Sequence, residues 1–262
     1  MCSRDFLRAK LESRKISMVT CYDYTFARML SRSAIDGILV GDSAAMVMHG
    51  HPSTLSASVE LMGLHTQAVV RGAAGKFVVA DMPFLSFRKG LAEALNSASV
   101  LMTAGAQAVK IEGVDGHEDV IQRMVQSGIP VMGHLGLQPQ SVHAYGGFCV
   151  QGRNGHQAQD IARQATVLAE LGVLAIVLEC VPENLAQEIT SAVRIPTIGI
   201  GAGAGCDGQI LVLQDLLGMN LDFRPKFARP FLDGAGSVLD AVARFDEAVK
   251  AGTFPSREES YS

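Results

Sequence analysis

Tryptophan is absent from this chain, and lysine and arginine never stand in a run longer than two. With a formal charge of −4, that scatter of basic residues excludes a protein built to track a phosphate backbone. Long apolar runs are missing too. The most apolar stretch, Val173 to Val181, is interrupted by Glu179 and falls short of the ~18 residues a membrane span needs. The first ten residues lack the apolar core of a signal peptide, so a cytoplasmic protein is expected. Cysteine is sparse: five residues, an odd number, with no Cys-x-x-Cys. That pattern excludes a disulfide framework, and although Cys21, Cys180 and Cys206 fall near strand ends, their spacing is not that of a thiolate zinc site. No linker or shift in composition divides the chain, which reads as one domain over residues 1–262.

What is present is apolar material, 48% of residues, arranged as a repeated alternation of short β-branched runs and amphipathic stretches. Strands are expected over 16–20, 37–40, 76–80, 108–111, 130–133, 174–178, 196–199 and, more weakly patterned, 209–213. Helices are expected over 23–33, 58–71, 91–104, 117–127, 157–171, 183–192 and 237–251. The strands are near-continuously hydrophobic rather than alternating, as in a parallel sheet covered on both faces. Eight units of roughly 30 residues point to an α/β fold, a (β/α)8 TIM barrel, with an open doubly wound sheet as the alternative. Gly105, Gly128 and Gly172 stand where helices need a left-handed residue to stop. Asp23 and Asp207 read as helix caps, and residues 254–262 as a loose polar tail. The connection over residues 135–155 is long enough to be a lid or binding loop.

In such a barrel, chemistry sits at the C-terminal strand ends. Polar residues there are Asp42 and Ser43, Asp81, Lys110 and Glu112, His134, and Glu179. Asp42 alone reads equally as a cap or a ligand. Three acids on consecutive strands are different, because they repel one another unless a cation or a shared proton intervenes. An all-oxygen set suits Mg²⁺ better than Zn²⁺. Lys110 and Glu112, two apart on one strand, face the same side, where the lysine can meet a substrate carboxylate. Glu179, ending an apolar run, suits a general base. His134 reads equally as an oxyanion donor or a packed polar residue, and His49 and His51 as parts of a polar loop. Gly199-Ile-Gly-Ala-Gly203 is either a phosphate cradle or a tight turn.

The residues also carry a family resemblance. In order along the chain stand Thr20-Cys-Tyr-Asp-Tyr24, Val40-Gly-Asp-Ser43, Gly50-His-Pro-Ser-Thr-Leu55, Ala80-Asp-Met-Pro-Phe84 and Val109-Lys-Ile-Glu-Gly113. After them come Gly133-His-Leu-Gly-Leu-Gln-Pro-Gln-Ser-Val142, Gln151-Gly-Arg153, Leu178-Glu-Cys-Val-Pro182, Ile198-Gly-Ile-Gly-Ala-Gly203 and Asp207-Gly-Gln-Ile-Leu-Val212. This ordered series resembles the ketopantoate hydroxymethyltransferase family, barrels of the phosphoenolpyruvate/pyruvate type. The resemblance implies that Asp42, Asp81 and Glu112 surround Mg²⁺, that Ser43 and Lys110 hold a 2-oxo acid with Asp42, Asp81 and His134 beside it, and that Glu179 accepts the proton. It further implies α-ketoisovalerate as substrate, 5,10-methylenetetrahydrofolate as one-carbon donor, an enolate intermediate, ketopantoate as product on the route to pantothenate, and a cytoplasmic homo-oligomer, a decamer. Two stretches depart from the family pattern, Val114-Asp-Gly116 and Gly203-Ala-Gly-Cys206; neither carries a chemical residue. The rival readings are a carbon–carbon lyase of the phosphoenolpyruvate mutase/isocitrate lyase type and a barrel that binds without turnover.

Overall fold

A computed structural model describes residues 2–221 and 223–262. Its strands are β1 (Ile16–Thr20), β2 (Gly37–Val40), β3 (Phe77–Asp81), β4 (Ala108–Glu112), β5 (Val131–Gly136), β6 (Ala175–Glu179), β7 (Thr197–Ile200) and β8 (Gly208–Leu211). All neighbours pair in parallel and the sheet closes on itself. Closure rests on β1 against β8, with Ile16 opposite Gly208 and Val19 opposite Leu211, and this excludes the open sheet. Every strand residue is buried except Glu179, which is half-buried. Burial on both faces is why the strands show no polar alternation.

The helices are α1 (Ser3–Leu11), α2 (Tyr24–Leu30), α3 (Ala44–Val47), α4 (Val59–Gly72), α5 (Leu91–Thr103), α6 (Glu118–Gln126), α7 (Val142–Tyr145), α8 (Gly155–Glu170), α9 (Glu183–Ala192), α10 (Leu213–Leu216) and α11 (Val238–Lys250). Side chains start several of them as the sequence suggests. Asp23 accepts from Phe26 N at 2.9 Å, Asn154 from Gln157 N at 2.9 Å and Ser237 from Asp240 N at 3.2 Å. Gly105, Gly128 and Gly172 take φ of 106°, 83° and 83° at helix ends.

The structure corrects the sequence reading in four places. Strands β3 to β6 run one to three residues further than expected, because the ladder bonds backbone groups and is indifferent to Asp81, Glu112, His134 or Glu179 as side chains. Helix α1 was not foreseen; its Phe6 and Ala9 are buried, and the Phe6 ring stands 5.2 Å from Phe77 at the start of β3. Asp207 caps no helix. Its Oδ2 accepts from Lys10 Nζ at 2.8 Å and from Thr197 N at 2.9 Å, tying α1 to the short connection that joins β7 to β8 without a helix. Residues 254–262 are not loose. Phe254 packs on Phe231 and Phe245 at 5.3 and 5.7 Å, Arg229 pairs with Glu259 at 2.7 Å, and Tyr261 O accepts the Glu183 N–H that opens α9. An apolar anchor and an orphan helix N–H hold the segment where its polar composition suggested freedom.

Asp207→Ala leaves the Lys10 ammonium and the Thr197 N–H without their acceptor in a part-buried site. The expected cost is about 2–3 kcal/mol, read as a lower urea midpoint at unchanged slope. A midpoint equal to wild type would show that this tie contributes nothing net.

Candidate active site

The seven residues picked out at the strand ends line one cavity. Asp42, Ser43, Asp81, Lys110, Glu112, His134 and Glu179 surround a space of about 90 Å³ at the mouth of the barrel. Register places them there. Asp81 stands opposite Lys110, Glu112 opposite His134, and Gly136 opposite Glu179. Gly136 has φ of 89°, and a Cβ on it would run into the Glu179 carbonyl oxygen, so only glycine lets β5 and β6 meet at that level. Beyond Glu179 the chain bends sharply through Cys180 at φ 46°, pinned by Cys180 N donating to Ile200 O and Gln151 N donating to Cys180 O, both at 2.9 Å.

Burial makes the electrostatics of this group severe. Asp42, Asp81, Lys110, Glu112 and His134 are all at most 4% exposed. Desolvation, then the charges of Asp81 and Glu112, lifts the Asp42 pKa well above the carboxylate range. Asp81 is also raised, by burial first, although Lys110 Nζ lies 3.2 Å from its Oδ1. Burial works against the Lys110 ammonium, but Asp81, Glu112 and Asp42 outweigh it and raise its pKa. Lys110 Nζ lies 3.1 Å from His134 Nδ1, and His134 Nε2 lies 3.1 Å from Glu179 Oε2. Burial and Lys110 oppose the imidazolium form, while Glu112 and Glu179 outweigh them and raise the His134 pKa.

Gln140 is the principal residue that inspection of strand ends passed over. Its Nε2 donates to Asp42 Oδ2 at 2.8 Å and to Met82 O at 2.9 Å, and its backbone N–H donates to Glu112 Oε2 at 3.1 Å. It comes from the long loop after β5, in the Gln-Pro-Gln-Ser segment, so the loop was flagged but the residue was not. Tyr22, whose hydroxyl lies 2.9 Å from Ser43 Oγ, was overlooked for the same reason. The glycine-rich turn after β7 is a tight turn: Gly201 has φ of 65°, and the Phe227 ring fills the place of its missing Cβ. His49 pairs with His65 at 2.9 Å on the exterior and takes no part.

Asp42, Asp81 and Glu112 each keep one oxygen in a protein hydrogen bond, from Gln140 Nε2, Asp42 N and Gln140 N respectively. Glu112 Oε1 is buried without a hydrogen-bond partner among the described residues. Among the described residues no three His, Cys, Asp or Glu side chains form a ready metal cage. The donor set instead suits a hard cation of the Mg²⁺ type, which takes one or two carboxylates and completes its shell with water and substrate oxygens. The fit is one of charge as well: three buried carboxylates face one ammonium.

The family model described as ketopantoate hydroxymethyltransferase matches residues 1–257. A 3-methyl-2-oxobutanoate hydroxymethyltransferase of Bdellovibrio bacteriovorus is 54% identical over 258 residues, covering 98% of each chain. One from Francisella tularensis is 48% identical over 256 residues, covering 98% of this chain and 97% of that protein. Among solved structures, a phosphonopyruvate hydrolase in complex with oxalate and Mg²⁺ superposes with a TM-score of 0.63 at 14% identity, covering 96% of this chain and 98% of that one. A 2,3-dimethylmalate lyase of the phosphoenolpyruvate mutase/isocitrate lyase superfamily gives 0.60 at 16% identity, covering 80% and 78%. These two share the barrel fold.

A raised native pKa means that the folded protein binds more protons than the unfolded chain. Asp42 thus favours folding below its ordinary value of 3.8, and that contribution is lost as pH rises through the elevated native value. In cation-free protein, Asp42→Asn is expected to raise the melting temperature at pH 8, by about 2–4 °C per kcal/mol of repulsion relieved, with a smaller gain at pH 5. Equal gains at both pH values would contradict the charge-repulsion account.

Proposed function

The chain belongs to the ketopantoate hydroxymethyltransferase family, and from that premise we propose that this enzyme moves the one-carbon unit of 5,10-methylenetetrahydrofolate to 3-methyl-2-oxobutanoate in the cavity at the barrel mouth. The observation that carries the reading is the convergence of seven chemically apt side chains, from the ends of β2 to β6, on one small space with an excess of buried carboxylate. We take residues 1–262 as one catalytic unit, working in the cytoplasm on the route to pantothenate as a homo-oligomer, a decamer by family analogy.

Asp42, Asp81 and Glu112 are the residues to hold Mg²⁺, directly or through water. When bound there, the ion supplies Lewis-acid charge that makes the C–H next to the oxo group more acidic. Lys110 offers its ammonium to the substrate carboxylate, and Ser43, oriented by Tyr22, offers a hydroxyl. Leu39, Val177, Ile200 and Ile210 wall the cavity and suit the branched apolar end of the substrate. Glu179 is the one strand residue left half-buried, so it can take a proton from C3 and release it toward solvent. His134 Nε2, 3.1 Å from Glu179 Oε2, orients that carboxylate. The enolate carbon then attacks the methylene of the donor, forming the C–C bond. Both C–N bonds of that methylene carbon break, each leaving its electron pair on a folate nitrogen. The two nitrogens take up the proton released from C3 and one proton of water, whose remaining hydroxide becomes the hydroxyl of ketopantoate.

Glu179→Gln is expected to bind the 2-oxo acid yet lose exchange of its C3 proton with deuterated solvent, followed by NMR, by at least about a hundredfold. Undiminished exchange would remove Glu179 from the chemistry. For Asp81→Asn, calorimetric titration should show Mg²⁺ affinity down by roughly tenfold or more; unchanged affinity would count against Asp81 as part of the cation site. Consumption of methylenetetrahydrofolate only when the oxo acid is present separates the proposed transfer from lyase chemistry.

A further inference from the structure

A second cavity, of about 240 Å³, opens beside the catalytic one and shares with it Ser43, Thr54, Pro139, Glu179, Ile200 and Val212. Its remaining walls are mostly apolar or aromatic, including Met46, Leu137, Phe148, Phe223, Phe227 and Tyr261. In size it lies near the lower end of pockets that take cofactors, ~300–1,000 Å³. Nothing in the proton-transfer step uses it.

Besides Ser43 and Glu179 of the catalytic cavity, three polar side chains interrupt the apolar lining. Thr54 is 2% exposed, lies at the junction of the two cavities, and its hydroxyl has no hydrogen-bond partner among the described residues. Asp215, on α10, is half-buried, and among the described residues no cation acts on its carboxyl. Asn220 stands beside Asp215 and is tied to its own loop by Phe223 N donating to its Oδ1 at 3.4 Å. Burial pushes the Asp215 carboxyl up to about 6, with the Glu179 charge adding to the rise. An acid without a cation in an aromatic slot calls for a flat ligand that brings paired N–H donors of its own. The slot also opens onto Glu179, so a ring seated in it presents its near edge to the carbon that loses the proton.

We propose that this slot seats the fused ring of a reduced pterin, the one-carbon donor, with Asp215 accepting hydrogen bonds from the ring's amino-amidine edge. This inference rests on the donor assignment made above. The aromatic walls stack on the ring faces, Asn220 braces the acid, and the unpaired Thr54 hydroxyl meets the ring where it enters the catalytic cavity.

The test uses tetrahydrofolate as the probe, kept reduced, in calorimetric titrations of the full-length wild type, Asp215→Leu and the nearly isosteric Asp215→Asn. Both variants are expected to bind it at least about tenfold more weakly and to raise the donor KM by a similar factor, with the KM for the 2-oxo acid within about twofold of wild type. Asp215→Glu should recover part of the affinity. Tetrahydrofolate affinity unchanged in both variants would overturn the proposal, as would a parallel loss of oxo-acid binding, which would mark Asp215 as a general support of the site. Solvent exchange at C3 in wild type, measured without any folate, keeps the two readings apart. Its absence sinks the function proposed above, whereas its presence with indifferent Asp215 variants sinks only the donor site.

Discussion

The burial of three carboxylates around one ammonium at the mouth of the barrel is the constraint to which the rest of the structure answers. Removing that many charges from water is costly, and a mutual arrangement of Asp81, Lys110 and Glu112 recovers only part of the cost. The fold meets it with rigid, local means. Strand register sets Asp81 against Lys110 and Glu112 against His134, and Gln140 brings in two donors from the loop above. The remaining deficit of positive charge is a standing attraction for a cation and an anionic substrate, a form of stored strain that active sites commonly hold.

Much of this was legible in the sequence because a parallel barrel writes its active face in a simple code. A continuous apolar run names a buried strand, and the first polar residue after it stands at the functional end. Asp42, Asp81, Glu112, His134 and Glu179 all obey that rule. Gln140, Thr54, Asp215 and Tyr261 do not, since they arrive from loops, a four-residue helix and the C-terminal segment, where no periodicity fixes direction. Asp207 misleads for a related reason. An Asp ahead of an apolar run looks like a cap, and only its distance in space from Lys10 and Thr197 shows that it fastens the barrel floor. The tail was misjudged because composition counts its polar residues and misses the leverage of Phe254.

The barrel is also uneven around its circumference, and the unevenness has a functional sense. Helices α2, α4, α5, α6, α8 and α9 cover the strands in regular succession, but β7 leads to β8 without a helix, and after β8 only the four-residue α10 precedes the long connection to α11, which packs back on β1. On that side the rim is closed by irregular chain, within residues 217–221 and 223–237, and by the C-terminal segment. A helix packed there would bury its apolar face against the strands and leave little room at the rim. Irregular chain can bring Phe223, Phe227 and Tyr261 around an open slot while its backbone stays near water. The polar cavity is therefore built on strands, where precision of charge matters, and the apolar one on loops, where shape matters more.

That division bears on the order of events at Glu179, the one acid common to both spaces. A base that must take a proton from carbon and then tolerate an incoming electrophile cannot be sealed in the charged cavity. Nor can it stand fully in water, where its carboxylate would be satisfied by solvent and lose its orientation. Half-burial with His134 on one side and the apolar slot on the other meets both demands. Closing of the slot by a flat ligand would complete the exclusion of water only once both substrates are present, so that proton abstraction can precede donor entry while carbon–carbon bond formation waits for it.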